Sequence, residues 1–130
     1  MLIDTSGFLC LLHKDEPEHA ESVRVYSEAS HFLTHNYILD EFAALANKRN
    51  LPREKSLRFS RSILTDVTIE LIWVDAVLHE SAVTLLEKRT DKSYSLCDAV
   101  SFVLMRERGM AEALTTDRHF EQEGFVRLLK

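Results

Sequence analysis

Short apolar runs alternate with longer amphipathic segments along nearly the whole chain. Five stretches have strand character: residues 1–4, about 31–34 (His-Phe-Leu-Thr), 69–74 (Ile-Glu-Leu-Ile-Trp-Val), 112–116 and 125–128. Between them apolar positions recur three and four residues apart, the period of a helix with one buried face. This spacing predicts helices over about 6–13, 17–29, 36–49, 53–64, 76–89 and 95–108, with a short turn near 118–122. Strands that alternate with helices call for a parallel sheet covered on both faces. Two helix stops are legible. Pro52 can open the fourth helix at its first position, and Gly109 stands where the C-cap of the sixth belongs. With 3 Gly and 2 Pro in all, little chain is left for hairpins or long loops. The fold class is therefore α/β, a three-layer α/β/α sandwich, with residues 1–130 expected to form one domain.

Composition removes several classes of function. Hydrophobic residues make up 45% and charged residues 28%, which suits a folded globular chain and not a disordered one. No apolar run approaches the roughly 20 residues of a membrane span, so no membrane association is expected. Asp4 interrupts the first apolar run after three residues, which argues against a signal peptide. Cys10 and Cys97 form no CxxC pair and sit in apolar helical surroundings, so buried free thiols in a reducing cytoplasm are expected. The six histidines lack the spacing of a zinc site, and the three glycines are isolated, which excludes phosphate-binding loops. Ser6 lacks the G-x-S-x-G elbow of a hydrolytic triad. A net charge of −5 excludes holding nucleic acid by bulk electrostatics, so any attraction for phosphate must be local. One local candidate is the basic run Lys48, Arg49, Arg53, Lys55, Arg58 and Arg61, a solvated face that could also meet an acidic partner or an RNA backbone.

Four acids change the picture: Asp4, Glu41, Asp98 and Asp117. Asp4 and Asp117 each close a predicted strand, and open α/β sheets bind ligands beyond the carboxyl ends of their strands. Each would also serve as a helix N-cap. The hydroxyls beside them, on Thr5, Ser6, Thr115 and Thr116, can hold the waters that Mg²⁺ retains. Glu41 has Tyr37, Ile38, Ala44 and Leu45 as its helical neighbours, so it is either snorkelling from an apolar stripe or facing a site near the same edge. Asp98 lies early in an almost wholly apolar helix. There Ser95-x-x-Asp98 also reads as a capping box, and both roles stay open. Asp75 reads as a simple cap, and His119 as packing or capping near the last short helix. Carboxylates that cannot be solvated are costly unless positive charge meets them, and a divalent cation is the usual answer. Together the four acids point to a metal-dependent enzyme.

With these residues in place the chain resembles the PIN-domain family, most of all its VapC-type toxins of type II toxin–antitoxin pairs. The resemblance is carried by Leu2-Ile3-Asp4-Thr5-Ser6, by Glu41 in its helix, by Ser95-Leu96-Cys97-Asp98-Ala99, and by Leu114-Thr115-Thr116-Asp117-Arg118-His119-Phe120. Gly124-Phe125 and the apolar run after it complete the match. Cys97 departs from the small polar residue often found there, which should affect packing under the site. The resemblance implies a twisted, parallel, five-stranded sheet and a Mg²⁺- or Mn²⁺-dependent endoribonuclease that leaves a 5′-phosphate. It assigns metal binding to Asp4, Glu41, Asp98 and Asp117, and water-holding hydroxyls to Thr5 and Thr116. It further implies a homodimer in the cytoplasm, silenced by a protein antitoxin that lays a helix in a groove. Two rival readings compete with this one. An aspartyl-phosphate phosphatase needs a second Asp where Ser6 stands, and the other rival is a catalytically silent PIN-like module that binds RNA or regulates.

Overall fold

In the computed structural model, which describes residues 1–130, the elements follow one another as the apolar periodicity requires. They are β1 (Leu2–Ile3), α1 (Thr5–Leu12), α2 (His19–Glu28), β2 (Phe32–His35), α3 (Asn36–Lys48) and α4 (Arg53–Ile63). Then come β3 (Ile69–Ile72), α5 (Ala76–Lys88), α6 (Leu96–Glu107), β4 (Glu112–Leu114), α7 (His119–Gln122) and β5 (Val126–Arg127). The five strands form one all-parallel sheet in the order β3-β2-β1-β4-β5, flanked by the seven helices in an α/β/α arrangement. Leu2 and Ile3 of the central strand are fully buried, as a parallel strand covered on both faces must be.

Apolar helices close over this strand. In α6 the residues Cys97, Ala99, Val100, Phe102, Leu104 and Met105 are all buried, so the helix is central and not a surface cover. Phe102 meets Phe120 edge to face at 4.9 Å and stacks on Phe125 at 5.6 Å, joining α6 to the last helix and to the residue that leads into β5. Phe8 of α1 meets Phe42 of α3 and Phe59 of α4 in a second aromatic group.

Two local features place the site. Gly7 lies so close to β4 that a Cβ there would stand 2.1 Å from the Leu114 carbonyl oxygen, so only glycine lets α1 start against that strand. His35 ends β2, and its Nδ1 accepts the Ile38 N–H, which leaves Nε2 to donate to Ser101 Oγ at 2.8 Å. Burial lowers the His35 pKa to about 3, so a neutral ring ties the start of α3 to α6.

The structure also adjusts the sequence reading. Pro52 is the N-cap of α4 rather than its first residue. Its φ of −54° suits a helix, but its ψ of 132° is extended. The third strand stops at Ile72 instead of residue 74, because the Val74 N–H leaves the sheet for Asn36 Oδ1 at 2.6 Å. Gly109 behaves as expected. It takes φ 63°, and the Gly109 and Met110 N–H groups bond back to Arg106 and Met105 in a Schellman closure.

Candidate active site

Asp4 follows β1 directly and is only 4% exposed. It occupies the N-cap position of α1, yet its side chain caps nothing. Thr115 instead donates its hydroxyl to Asp4 Oδ2 at 3.0 Å, and Oδ1 is buried with no hydrogen-bond partner. Sheet register explains the contact. Ile3 pairs with Leu114, so the next residues along the two strands, Asp4 and Thr115, come side by side. Burial pushes the Asp4 carboxyl up to about 7, and the charges of Asp98 and Glu41 add to that rise.

The Thr115 oxygen is saturated. It accepts the Asp117 N–H at 3.0 Å and, with its own hydrogen given to Asp4, accepts from Ser6 Oγ at 3.1 Å. Ser6 Oγ in turn accepts the Thr116 N–H at 3.0 Å. Among the hydroxyls expected to serve the site, Thr5 Oγ1 is buried beside Asp4 with no partner. Thr116 takes part through its backbone, its carbonyl accepting Arg127 Nη1 at 2.9 Å. Of the hydroxyls beside Asp4 and Asp117 in sequence, those of Thr115 and Ser6 make the hydrogen bonds.

Asp98 closes the capping box that its segment allows, and the same carboxylate also meets His119. Its Oδ2 accepts the Ser95 N–H at 2.9 Å while Ser95 Oγ accepts the Asp98 N–H, a complete capping box. The same Oδ2 lies 3.0 Å from His119 Nδ1, and Oδ1 makes no hydrogen bond. Asp117 Oδ1 accepts the His119 N–H at 2.9 Å and sits 3.3 Å from His119 Nδ1. A ring nitrogen between two carboxylates carries its hydrogen, so His119 bridges the two acids. Its other nitrogen lies 3.1 Å from Ser93 Oγ. Burial raises the Asp98 carboxyl above its ordinary range, with the Asp117 charge adding to it.

Glu41, exposed on α3, completes the set. The four acids fall into two groups. Ligand atoms of Asp4, Glu41 and Cys97 lie within 4.8 Å of one another, and those of Asp98, Asp117 and His119 do the same. Cys97 and His119 are the members that sequence reasoning had assigned to packing and capping. Only the position of each, beside Asp98 and two residues after Asp117, hinted at more. Burial, then the Glu41 and Asp4 charges, push the Cys97 thiol well above its ordinary range. An open groove of about 540 Å³ borders the first group, lined by Tyr37, Asp40, Glu41, Ala44, Ser95, Leu96 and Cys97.

The donor set fits a divalent cation. Acids at this spacing repel, and Asp4 Oδ1 is a buried oxygen that accepts no well-formed hydrogen bond. Only the pull of the Thr5 backbone N–H and the Thr115 hydroxyl on Oδ2 offset the carboxylate's burial. A parallel α/β sheet that draws carboxylates from four separate elements to its carboxyl edge defines a class of enzymes that hold divalent cations with acids. Within that class, the chain belongs to the PIN domain family, whose profile matches residues 1–125. It is similar to the 23S rRNA-specific endonuclease VapC20 of Mycobacterium tuberculosis, in strains CDC 1551 (Oshkosh) and H37Rv. The identity is 30% over 127 residues, covering 97% of this chain and 95% of the relative. The crystal structure of M. tuberculosis VapC20, a Sarcin-Ricin loop cleaving toxin, matches with a TM-score of 0.90 at 26% identity, covering 99% of this chain and 98% of the other.

Proposed function

We propose that residues 1–130 form one nuclease unit, an endoribonuclease that hydrolyses RNA phosphodiester bonds with Mg²⁺, for which Mn²⁺ substitutes. It is the toxin of a type II toxin–antitoxin pair and works in the cytoplasm. The observation that carries this reading is the buried, unpartnered Asp4 Oδ1 among four acids in a family of nucleases. Asp4, Glu41, Asp98 and Asp117 would hold the metal, since all-oxygen donors suit Mg²⁺ and Mn²⁺. When bound, the ion supplies Lewis-acid polarisation of the phosphate and a lowered pKa for an attacking water.

The chain's own residues prepare that chemistry. Thr115 fixes the Asp4 carboxylate through Oδ2 and so leaves Oδ1 free for the ion. His119 holds Asp98 and Asp117 together, and Ser6 keeps Thr115 in its donor orientation. Thr5 and Thr116 are proposed to hold water beside these acids, Thr5 through a hydroxyl with no protein partner. Positive charge for the RNA backbone comes from the basic helices. Arg58 and Arg61 line an open groove of about 580 Å³, although Arg58 also pairs with Glu54 at 3.1 Å.

The relative's substrate makes a structured ribosomal RNA loop the first RNA to assay. For the antitoxin, an apolar groove of about 310 Å³ lined by Phe8, Leu11, Val23, Tyr26, Phe59 and Ile63 offers a seat for a helix. For a homodimer, Trp73 and Val77 leave apolar surface exposed beside the edge strand β3. The test is cleavage of RNA by the purified protein with and without EDTA. Cleavage should require Mg²⁺ or Mn²⁺ and stop in Asp4→Asn and Asp98→Asn. Cleavage that survives EDTA refutes the metal mechanism, and RNA binding without cleavage favours the silent regulatory module.

A further inference from the structure

We infer that Asp4, Glu41 and Cys97 form an inhibitory site for a borderline-soft cation such as Zn²⁺, held by two carboxylates and the Cys97 sulfur. The binding stands on the geometry of the cluster; only its consequence, inhibition, rests on the nuclease reading above. The three ligand atoms lie within 4.8 Å of one another. Zinc bond lengths of about 2.3 Å to sulfur and about 2.1 Å to oxygen put tetrahedral donors roughly 3.4–3.6 Å apart, so closure needs shifts of about 1 Å. Glu41 is exposed and free to make that adjustment.

A second observation points to a ligand here. Asp4 is 4% exposed, its Oδ2 is taken by Thr115, and its Oδ1 has no partner. The groove along Glu41 and Cys97 leaves room for water in the fourth position, as zinc sites with three protein ligands require.

Cys97 divides cations by softness. A hard ion such as Mg²⁺ takes the oxygens and leaves the thiol alone, whereas zinc takes the sulfur as thiolate and the thiol proton passes to solvent. The other cluster is a poorer seat, because His119 already uses Nδ1 on Asp98 and Asp117 and Nε2 on Ser93. Cys10, the second free thiol, is buried and belongs to neither cluster, so it serves as a control.

The test begins with Co²⁺ titration of the metal-free full chain, following the ultraviolet charge-transfer band that only a thiolate ligand produces. Wild type and Cys10→Ser should show the band, and Zn²⁺ should bleach it. Cys97→Ser should lack it. Glu41→Gln changes an exposed position that threatens the fold least, and it should need on the order of a hundredfold more Co²⁺. RNA cleavage is then measured at fixed Mg²⁺ with rising Zn²⁺, each variant relative to its own zinc-free rate. Half-inhibition of Cys97→Ser should need on the order of a hundredfold more Zn²⁺ than wild type. No band in wild type, a band that survives in Cys97→Ser, unchanged Co²⁺ affinity in Glu41→Gln, or equal zinc sensitivity of wild type and Cys97→Ser would each overturn the site. Absence of any Mg²⁺-dependent cleavage refutes the nuclease reading instead and leaves the band to decide the site.

Discussion

The Thr115 hydroxyl donates to Asp4 Oδ2 and accepts from Asp117 N–H and Ser6, so a single oxygen couples the acids that follow β1 and β4. Thr115→Val keeps the shape and removes all three bonds. Each buried polar group left unpaired costs about 1–3 kcal/mol, so the melting temperature should fall. The sharper readout is metal affinity. Loss of a group that orients a ligand should weaken Mn²⁺ binding by about 10- to 100-fold in calorimetry. Lower stability with unchanged Mn²⁺ affinity would make Thr115 a packing residue only. At the same scale Asp98 shows how one carboxylate serves two partners. Oδ2 closes the capping box and meets His119, while Oδ1 stays without a hydrogen bond.

Two glycines separate two ways in which an element depends on a missing side chain. Gly7→Ala would place a Cβ 2.1 Å from Leu114 O and 2.9 Å from Leu114 C, both backbone atoms of a central sheet. Neither can yield without moving β4, so α1 must lift away, and overpacking of this kind costs about 3 kcal/mol or more. Because Asp4 leads into α1, metal binding should be lost together with stability. Gly109→Ala meets nothing within 4 Å, and only its φ of 63° is strained. It should cost about 1 kcal/mol, with metal affinity unchanged. Thermal melts and Mn²⁺ titrations of the two variants side by side check this. Intact metal binding in a well-folded Gly7→Ala would show that the close approach is not needed by the site.

Over the whole molecule, two buried groups pull stability in opposite directions with pH. His35 has a folded pKa of about 3 against an ordinary value of 6.5, so only the unfolded chain takes up its proton in between. Its contribution is present above 6.5 and is lost as pH falls toward 3. Asp4 has a folded pKa of about 7 against 3.8, so its contribution is present below 3.8 and is lost as pH rises through 7. A shift of that size corresponds to something on the order of 4 kcal/mol, carried by one carboxylate. In the metal-free protein, Asp4→Asn should therefore melt higher than wild type, with the margin widening from about pH 4 to about pH 7. A margin that shrinks over this range would mean the acids are satisfied without metal. Saturating Mg²⁺ should narrow that margin by most of its size. Ligand at a hundred times its dissociation constant stabilises wild type by about 2.7 kcal/mol, and the variant gains little.

The sequence by itself determined the order and limits of the elements, to within a residue or two at most ends, because helical and strand periods are local properties of the chain. It also marked the four acids, since strand ends and first helical turns are legible in the same pattern. It assigned water-holding hydroxyls to Thr5 and Thr116, and it left Cys97 and His119 to packing and capping. Which hydroxyl reaches Asp4 depends on strand register, and a slip of one residue turns every side chain to the other face. The pairing of Ile3 with Leu114 brings Thr115 to Asp4, and no run of residues around either position contains that information. The same holds for Cys97 beside Glu41 and for His119 between Asp98 and Asp117. These partners lie 56 residues apart in the first case and 21 in the longer span of the second, so only the packed sheet and helices could bring them together.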